Sequence, residues 1–395
     1  MIYLLMITTL IVFAISVSLY IFKSRITSPL PLHLIPWALV MLLGIINYDD
    51  YIDFPEQSYY ALLLWLLIII IIYFVADINN YKHAKATFLS NKSFVCGRYW
   101  VFVIPVSIYT IYEIYVVGTG GPASFLLNLR LANTMEDYPG PKFLVLTAVY
   151  PIIMAMFAII CVAKSSRLTF YSVLFWMVLF CIGTMGKFAV VTPVLVYLIT
   201  HDVKYKISNR KLFLFAGLLF VGVMGVHFSR MAANDSATLA SVLGVYIYSP
   251  ILAFSHLTSF TGSNPGEYTF RFIYAFFSKL NLISEQPVDT ILEYVNVPVP
   301  TNVYTMLQPF YHDYGFYGVI FGALIYGMFY AGFYSFAIRG STVALLIYAV
   351  LAISSVTSFF AETLITNLSG NIKLILSILI LWQLTVKRKN KQLQF

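Results

Sequence analysis

The stretch 58–76, SYYALLLWLLIIIIIYFVA, decides the class of this chain. It contains no charged side chain, and its length is close to the roughly 20 apolar residues with which an α-helix crosses a bilayer. Ten further apolar runs lie along the chain, at about residues 2–22, 30–46, 99–117, 143–163, 168–183, 188–200, 212–228, 316–336, 342–361 and 370–386. The pattern predicts about 11 transmembrane helices, of which those at 168–183 and 188–200 are unusually short.

The composition excludes a soluble domain, a disordered chain and a transmembrane β-barrel. Of the 395 residues, 60% are hydrophobic and 10% are charged, whereas about a quarter of the residues of a soluble domain are charged. Disorder is excluded by the 33 Phe and 30 Tyr residues. A transmembrane barrel is excluded because its strands alternate apolar and polar residues, and these runs are unbroken. The predicted fold class is an all-α polytopic membrane protein, with residues 1–395 forming a single integral membrane domain.

The basic residues predict the orientation. The first run lacks a basic segment before it and ends at Lys23 and Arg25, which is typical of a stop-transfer flank and places the N-terminus outside. Of the 24 Lys and Arg residues, 17 fall in one set of alternate loops and seven in the other. Because positive residues are retained in the cytoplasm, the first set and the C-terminus are predicted to be cytoplasmic. The net charge of +8 therefore follows the membrane, and nucleic acid is not an expected partner.

Two long segments, 118–142 and 229–315, are predicted to lie outside, whereas the cytoplasmic loops are short. Long loops without a structural need are usually where sites are built, so we expect the function on the external side. Within the longer segment, Arg271 and Lys279 lie eight residues apart, nearly on one face of a helix. The aromatic stretch around them predicts a helix that lies in the membrane interface.

Four basic residues are predicted to be external, although positive residues are mostly retained in the cytoplasm, so their position requires an explanation. They are Arg130, Lys187, Arg230 and Arg271. Guanidinium groups bind phosphate with paired donors, so these residues are candidate contacts for an external diphosphate and for the charge that develops on it. The structural alternative is that each pairs with an external carboxylate or with lipid phosphate.

A second group of candidates lies before the ninth predicted span, in 301–305 (TNVYT) and 310–318 (FYHDYGFYG). His312 and Asp313 are candidates for a general base and its orienting partner. The candidates for binding sugar hydroxyls or rings are Asn302, Tyr304, Tyr311 and Tyr314. The alternative is an aromatic belt at the membrane surface, with Asp313 capping the next helix.

Glu113 lies inside a predicted span and is a further candidate base, or a hydrogen-bonding residue within the bundle. The external acidic loop at 49–56 has the side chains that a divalent metal prefers. The favoured interpretation is that these acidic residues are outside because of the topology alone. Three scattered cysteines, without a CxxC spacing, indicate neither a zinc site nor a disulfide framework. No metal and no cofactor are predicted.

Three features follow one another along the chain. They are the Arg-bearing external loop, the Gly-rich turn with Lys187 between two short spans, and the long penultimate external loop. With the Asn-x-Tyr-Thr and Tyr-x-Asp-Tyr-Gly-x-x-Gly sequences, this order resembles the O-antigen polymerase family, the Wzy-type oligosaccharide repeat-unit polymerases. The resemblance covers most of the chain. Such proteins often carry Arg where this chain has Lys187, which keeps the charge.

The resemblance implies a GT-C-like membrane glycosyltransferase in the bacterial cytoplasmic membrane, with its active site facing the periplasm or exterior. Such enzymes join glycan repeat units carried on undecaprenyl diphosphate, which is also the leaving group. The expected partners are this lipid-linked glycan and membrane lipid, and a chain-length regulator protein is a candidate partner.

Two alternatives remain at this point. An O-antigen ligase shares the donor and the architecture but passes the glycan to the lipid A core. A lipid-linked oligosaccharide flippase, from another class, would need charged residues through the midplane of the membrane, and apart from Glu113 the predicted spans have almost none.

Overall fold

The structure is a computed structural model that describes residues 2–46, 56–81, 92–94, 99–135, 137–228, 239–256, 264–289, 292–297 and 300–388. Its helices are α1 (Ile2–Ser16, continued by a π-helical turn at Val17–Ile21), α2 (Pro29–Ile46), α3 (Glu56–Tyr81), α4 (Tyr99–Thr119), α5 (Phe125–Thr134), α6 (Val145–Val162), α7 (Arg167–Thr184), α8 (Lys187–Tyr205), α9 (Asn209–Phe228), α10 (Leu239–Ser255), α11 (Arg271–Lys279), α12 (Gln308–Ile338), α13 (Thr342–Val356) and α14 (Leu368–Thr385). Two short antiparallel pairs join β1 (Lys92–Phe94) to β4 (Val386–Arg388) and β2 (Val295–Asn296) to β3 (Pro300–Thr301).

Eight of the described helices are long and apolar enough to cross a membrane, namely α1, α2, α3, α4, α6, α7, α12 and α14. Their exposed faces carry large apolar side chains, such as Ile108, Tyr112 and Tyr115 on α4. Apolar side chains on the outside of a helix bundle are what lipid solvates. The predicted class, an all-α polytopic membrane protein, is confirmed.

Each predicted span overlaps one helix, but the sequence misses α5 and α10. The two runs predicted to be short, 168–183 and 188–200, belong to α7 and α8, which have 18 and 19 residues. Helix α10 has 17 residues and lies in the segment predicted to be a loop with an interfacial helix. Its sequence, LASVLGVYIYSPILAFS, is broken by small residues and Pro250, so it gives no continuous apolar run.

The described chain divides into two compact units. The first comprises Met1–Ala86, Ser236–Arg339 and Ser354–Asn371, and the second comprises Thr87–Asp235, Gly340–Ile353 and Ile372–Phe395. Each is described by itself below.

The core of the first unit lies between α3 and α12. The Trp65 ring stacks on Phe310, with 5.9 Å between ring centroids, and meets the edge of Tyr326 at 5.6 Å. Gly327 faces Ile72 so closely that a Cβ at this position would overlap the Ile72 side chain. Small residues allow helices in a membrane to approach each other, because packing rather than the hydrophobic effect drives their association.

A buried polar network joins α2, α3 and the end of α13 within this unit. His33 is fully buried, and its Nε2 atom accepts a hydrogen bond from the Trp65 indole at 3.4 Å. An indole nitrogen only donates, so the His33 proton lies on Nδ1, which is 3.1 Å from Ser355 Oγ. The Trp37 indole donates to Ser358 Oγ at 2.8 Å. These bonds fix the turn at Ser355–Ser358 in the first unit.

Contacts near the helix ends indicate which ends lie on the same side. Tyr3 donates to the Glu56 carboxylate at 3.1 Å, which brings the starts of α1 and α3 together. Ser18 donates to Asp77 at 2.7 Å, which brings their ends together. Helices α1 and α3 therefore run in parallel, as the predicted alternation of the first three spans requires.

Helix α12 is broken at Gly315, where φ is 57° and ψ is −137°. This conformation is open to glycine but strained for residues with a side chain. The break separates a short segment, 308–314, from the long apolar part of the helix. At Gly318 a Cβ would overlap the carbonyl oxygen of Phe310, so the absence of a side chain there allows the short segment to fold close to the long one.

Candidate functional site

A cavity of about 270 Å³ lies in the first unit beside the short segment of α12. Its polar and aromatic lining residues are Tyr268, Tyr304, Asp289, Glu293, Gln308 and His312. Ligand pockets typically combine rings with a few convergent polar groups. The volume suits one small ring rather than a long oligosaccharide.

The short segment of α12 supplies two side chains to the cavity. Gln308 and His312 are four residues apart, so they share one face of this helical turn. The imidazole of His312 packs on the Tyr268 ring, with 4.1 Å between centroids, and is half-buried. His312 therefore has an aromatic support on one side and the cavity on another.

A different face of the same segment has a structural role. Asp313 is only 1% exposed, and its carboxylate accepts hydrogen bonds from the backbone nitrogens of Tyr268 at 3.3 Å and Thr269 at 2.7 Å. The Thr269 hydroxyl donates to the Pro309 carbonyl at 3.2 Å. Successive residues of a helix point in different directions, so Asp313 is poorly placed to orient its neighbour His312. Its observed role is to hold the Tyr268 wall of the cavity.

The remaining walls are held by three further bonds. The Tyr304 hydroxyl donates to the Glu293 carbonyl at 3.0 Å, and Arg271 Nε donates to the Val288 carbonyl, directly before Asp289. The Met306 amide donates to the Ser358 carbonyl at 2.9 Å, which ties the chain between Tyr304 and Gln308 to the buried turn described above. The cavity is therefore anchored to the helical core.

The electrostatic environment of the cavity is negative. Burial raises the pKa of Tyr268, and the nearby carboxylates of Glu267, Asp313, Glu293 and Asp289 raise it further. Burial also raises the pKa of Tyr304, with a contribution from Glu293. Both phenols therefore remain protonated near neutral pH and can donate hydrogen bonds.

The predicted sugar-binding residues divide into two groups. Tyr304 lines the cavity, whereas Asn302, Tyr311 and Tyr314 are not among its lining residues. Tyr311 is only 6% exposed, and its ring packs edge-on against Phe254 and Phe316 at 5.3 and 5.7 Å. Tyr311 is thus part of the core. Asn302 and Tyr314 are half-buried nearby in the chain.

No sequence pattern singled out Tyr268, Asp289, Glu293 or Gln308 as site residues. The four-residue spacing between Gln308 and His312 was a usable signal for one of them. Neither Asp289 nor Glu293 belongs to a helix or a strand, and both look like ordinary external acidic residues in the sequence. Only the folded chain brings them to His312.

Glu113, in the second unit, is placed as a helix cap. One carboxylate oxygen accepts from the backbone nitrogens of Leu144 at 2.5 Å and Val145 at 2.9 Å, and the other accepts from Leu146 at 2.8 Å. These are the N–H groups of the N-cap residue Leu144 and of the first two residues of α6, which have no partner within the helix. A carboxylate is favourable there because it also meets the positive end of the helix dipole. This geometry favours the structural interpretation of Glu113 over the catalytic one.

Arg130 and Lys187 belong to elements that meet in the second unit. Arg130 lies on α5, and Lys187 begins α8 after the left-handed turn at Met185. Asn133, one turn after Arg130, donates to the Gly183 carbonyl at 3.2 Å. Leu129 on α5 packs in one cluster with Met185. The Arg-bearing helix and the Gly-rich turn are therefore neighbours.

The start of α5 is built by Asn128. Its amide oxygen accepts from the Ala123 nitrogen at 2.9 Å, and its amide nitrogen donates to the carbonyls of Gly118 and Ala123, each at 2.9 Å. A Cβ at Gly121 would overlap the Tyr138 hydroxyl. The Gly-Gly-Pro sequence therefore has a local structural reason, which is to let α5 fold back against α4.

The other two predicted phosphate contacts are Arg230 and Arg271. Arg230 lies outside the described residues. Arg271 belongs to the first unit, where it starts α11 and is half-buried against the cavity wall. The predicted short helix with Arg271 and Lys279 at its ends is present, and its exposed side chains include Ile273, Phe276 and Phe277.

Among the described residues, no group of three or more His, Cys, Asp or Glu side chains is placed to hold a metal ion. Comparisons of the chain with protein-family models, with curated proteins and with solved structures found no match.

Proposed function

We propose that this protein is a membrane glycosyltransferase of the O-antigen polymerase type, which joins lipid-linked oligosaccharide repeat units. The observation that carries the proposal is the cavity beside the broken start of α12, where tyrosine rings, carboxylates, an amide and an imidazole converge. Rings and hydrogen-bonding groups of both polarities are what a sugar ring, with its apolar faces and hydroxyl edge, requires.

In the proposed reaction, a hydroxyl of one repeat unit attacks the anomeric carbon of another glycan chain. The new C–O bond forms as the bond to undecaprenyl diphosphate breaks, and the carrier diphosphate leaves with the electron pair. His312 is the proposed general base, because it is the imidazole that faces the cavity, and it takes the hydroxyl proton. Asp313 is a positioning residue in this scheme. Glu113 has no part in the chemistry.

The basic residues are proposed to bind the carrier diphosphates. Arg130 and Lys187 lie on neighbouring elements of the second unit, and Arg271 lies against the cavity wall of the first. Two lipid-linked glycans meet in each reaction, so cations are needed for a bound acceptor and for the departing carrier. Guanidinium groups suit both tasks because they present paired donors to phosphate.

The proposed topology has 11 spans, an external N-terminus and a cytoplasmic C-terminus, in the bacterial cytoplasmic membrane. The antiparallel pairing of Lys92–Phe94 with Val386–Arg388 supports it. Paired strands share one side of a membrane, so an even number of crossings must separate them. The proposed topology has eight spans between these strands and places both on the cytoplasmic side.

The deciding experiment uses the full-length protein, purified and supplied with lipid-linked repeat units but with no nucleotide. A ladder of products separated by one repeat unit is the expected result. The proposal is wrong if the units are returned unchanged, or if they are transferred only to a lipid A core acceptor, which would indicate the ligase reaction instead.

A further inference from the structure

The cavity has a charge asymmetry that the proposed reaction does not require. Two carboxylates, Asp289 and Glu293, line it together with neutral donors and acceptors and with His312. Val288 also lines the cavity, and its backbone carbonyl accepts a hydrogen bond from Nε of Arg271. The residues that line the cavity therefore include two acidic ones, whereas Arg271 is not among them.

We propose that Asp289 and Glu293 select the charge class of the sugar that enters this cavity, favouring amine-bearing and neutral sugars and rejecting uronic acids. This inference rests on the proposed function, because it names the substrate class of the same site. A carboxylate on the sugar would meet two like charges, and juxtaposed like charges are a common source of specificity. An ammonium group would gain two charge-assisted contacts.

The wall geometry keeps these carboxylates at the cavity. Glu293 is held through its own carbonyl, which accepts the Tyr304 hydroxyl at 3.0 Å, and the carbonyl of Val288 is held by Arg271. Both bonds are accepted by backbone carbonyls, those of Glu293 and Val288, so neither bond requires a carboxylate group. Asp289 and Glu293 are both exposed residues, and both line the cavity. Exposure also means that their effect is screened by salt.

The test measures binding of three simple glycosides to the purified full chain at low ionic strength, using ligand-observed NMR. The probes are methyl glucosaminide, methyl glucoside and methyl glucuronide. We expect the glucosaminide to bind about fivefold more tightly than the glucoside and the glucuronide to bind most weakly, since each exposed charge pair contributes up to about 1 kcal/mol. Raising the salt concentration should narrow these differences.

The decisive variant is Asp289→Asn with Glu293→Gln, which removes both charges but keeps hydrogen-bonding side chains of similar size. In this variant the three affinities should become nearly equal. The matched control is Glu285→Gln, because Glu285 is an exposed acidic residue of the same unit that does not line the cavity. The control should keep the discrimination.

Equal affinities in the native protein, no binding of any probe, or discrimination that survives the double substitution would each overturn the inference. The glycosides carry no carrier lipid and no leaving group, so the result does not depend on polymerisation. A ladder without charge discrimination would remove this inference alone. Charge discrimination without a ladder would remove the proposed polymerase and leave a sugar site of the inferred charge class.

Discussion

The Oδ2 atom of Asp313 lies 2.7 Å from the backbone nitrogen of Thr269. This bond joins the start of α12 to the loop that carries Tyr268, so a residue next to the proposed base holds the backbone beside the ring on which that base packs. His312 and Asp313 are adjacent in the sequence but have different roles in the structure. His312 lines the cavity, and Asp313 accepts hydrogen bonds from the backbone of Tyr268 and Thr269.

Substitutions at Asp313 should act on stability before they act on chemistry. Asp313→Ala leaves buried N–H groups without an acceptor and should lower the free energy of unfolding by about 1–3 kcal/mol. Asp313→Asn keeps one acceptor oxygen and should lose less. Thermal unfolding in detergent measures the order, and the ladder assay should show that Asp313→Asn still polymerises. A well-folded Asp313→Asn protein that makes no ladder would show that the reaction, and not only the fold, requires the carboxylate of Asp313.

His312→Gln should keep the fold and abolish the ladder, because Gln can form hydrogen bonds but cannot take the hydroxyl proton. General-base catalysis is typically worth about 10²–10⁴-fold in rate, so the loss should be at least of this order. The control is Tyr311→Phe, which removes only a hydroxyl from a ring packed on Phe254. It should keep near-native activity. Comparable rates for native protein and His312→Gln would exclude His312 as the base.

Alanine substitutions at the glycines of α12 should differ in their effect on stability. Gly315→Ala should cost about 1–3 kcal/mol because φ is 57° there, although open space surrounds the site. Gly318→Ala should be at least as damaging, since its Cβ would overlap the Phe310 carbonyl. Gly332→Ala is the matched control in the same helix, with no atom within 4 Å of the added Cβ, and should change stability by less than about 0.5 kcal/mol. Unfolding temperatures of the three variants check this order.

Glu113 should behave as a cap. Glu113→Gln keeps an acceptor for the first turn of α6, whereas Glu113→Ala leaves buried donors unsatisfied and should cost about 1–3 kcal/mol. We expect the specific activity of folded Glu113→Gln protein to stay close to the native value. A large activity loss at unchanged unfolding temperature would restore Glu113 as a candidate base.

Arg130→Ala should abolish long-chain polysaccharide in cells while single lipid-linked units are still exported, and Arg230→Ala should do the same. Lys187→Arg should be tolerated better than Lys187→Ala, because it keeps the positive charge. Gel analysis of extracted glycans measures chain length, and immunoblotting controls for protein level. Native chain length in both the Arg130 and Arg230 variants would remove the diphosphate contacts from the proposal.

The membrane-spanning framework follows directly from the sequence, because hydrophobic runs such as 58–76 can be stable only as helices in lipid. The same rule fails for α10, where Pro250 and small residues interrupt the run. The sequence also singled out His312, Tyr304 and Arg130 as candidates, since aromatic and charged residues beside a span are conspicuous against an apolar background, but it did not predict α5, the helix that carries Arg130. It did not separate Tyr311, which packs in the core, from Tyr304, which lines the cavity, because both look alike in a Tyr-rich motif.

The sequence by itself determined the solvent of this protein, since a chain with 60% hydrophobic residues has only lipid as a stable environment for its helices. The tertiary structure alone decided which polar groups meet. Three features of the site depend on residues that are distant in the chain or lie in irregular backbone. They are the turn at Gly315, the bond between Asp313 and Thr269, and the cavity wall with Asp289 and Glu293. Such contacts leave no periodic pattern, because they depend on how helices pack and not on how each one forms.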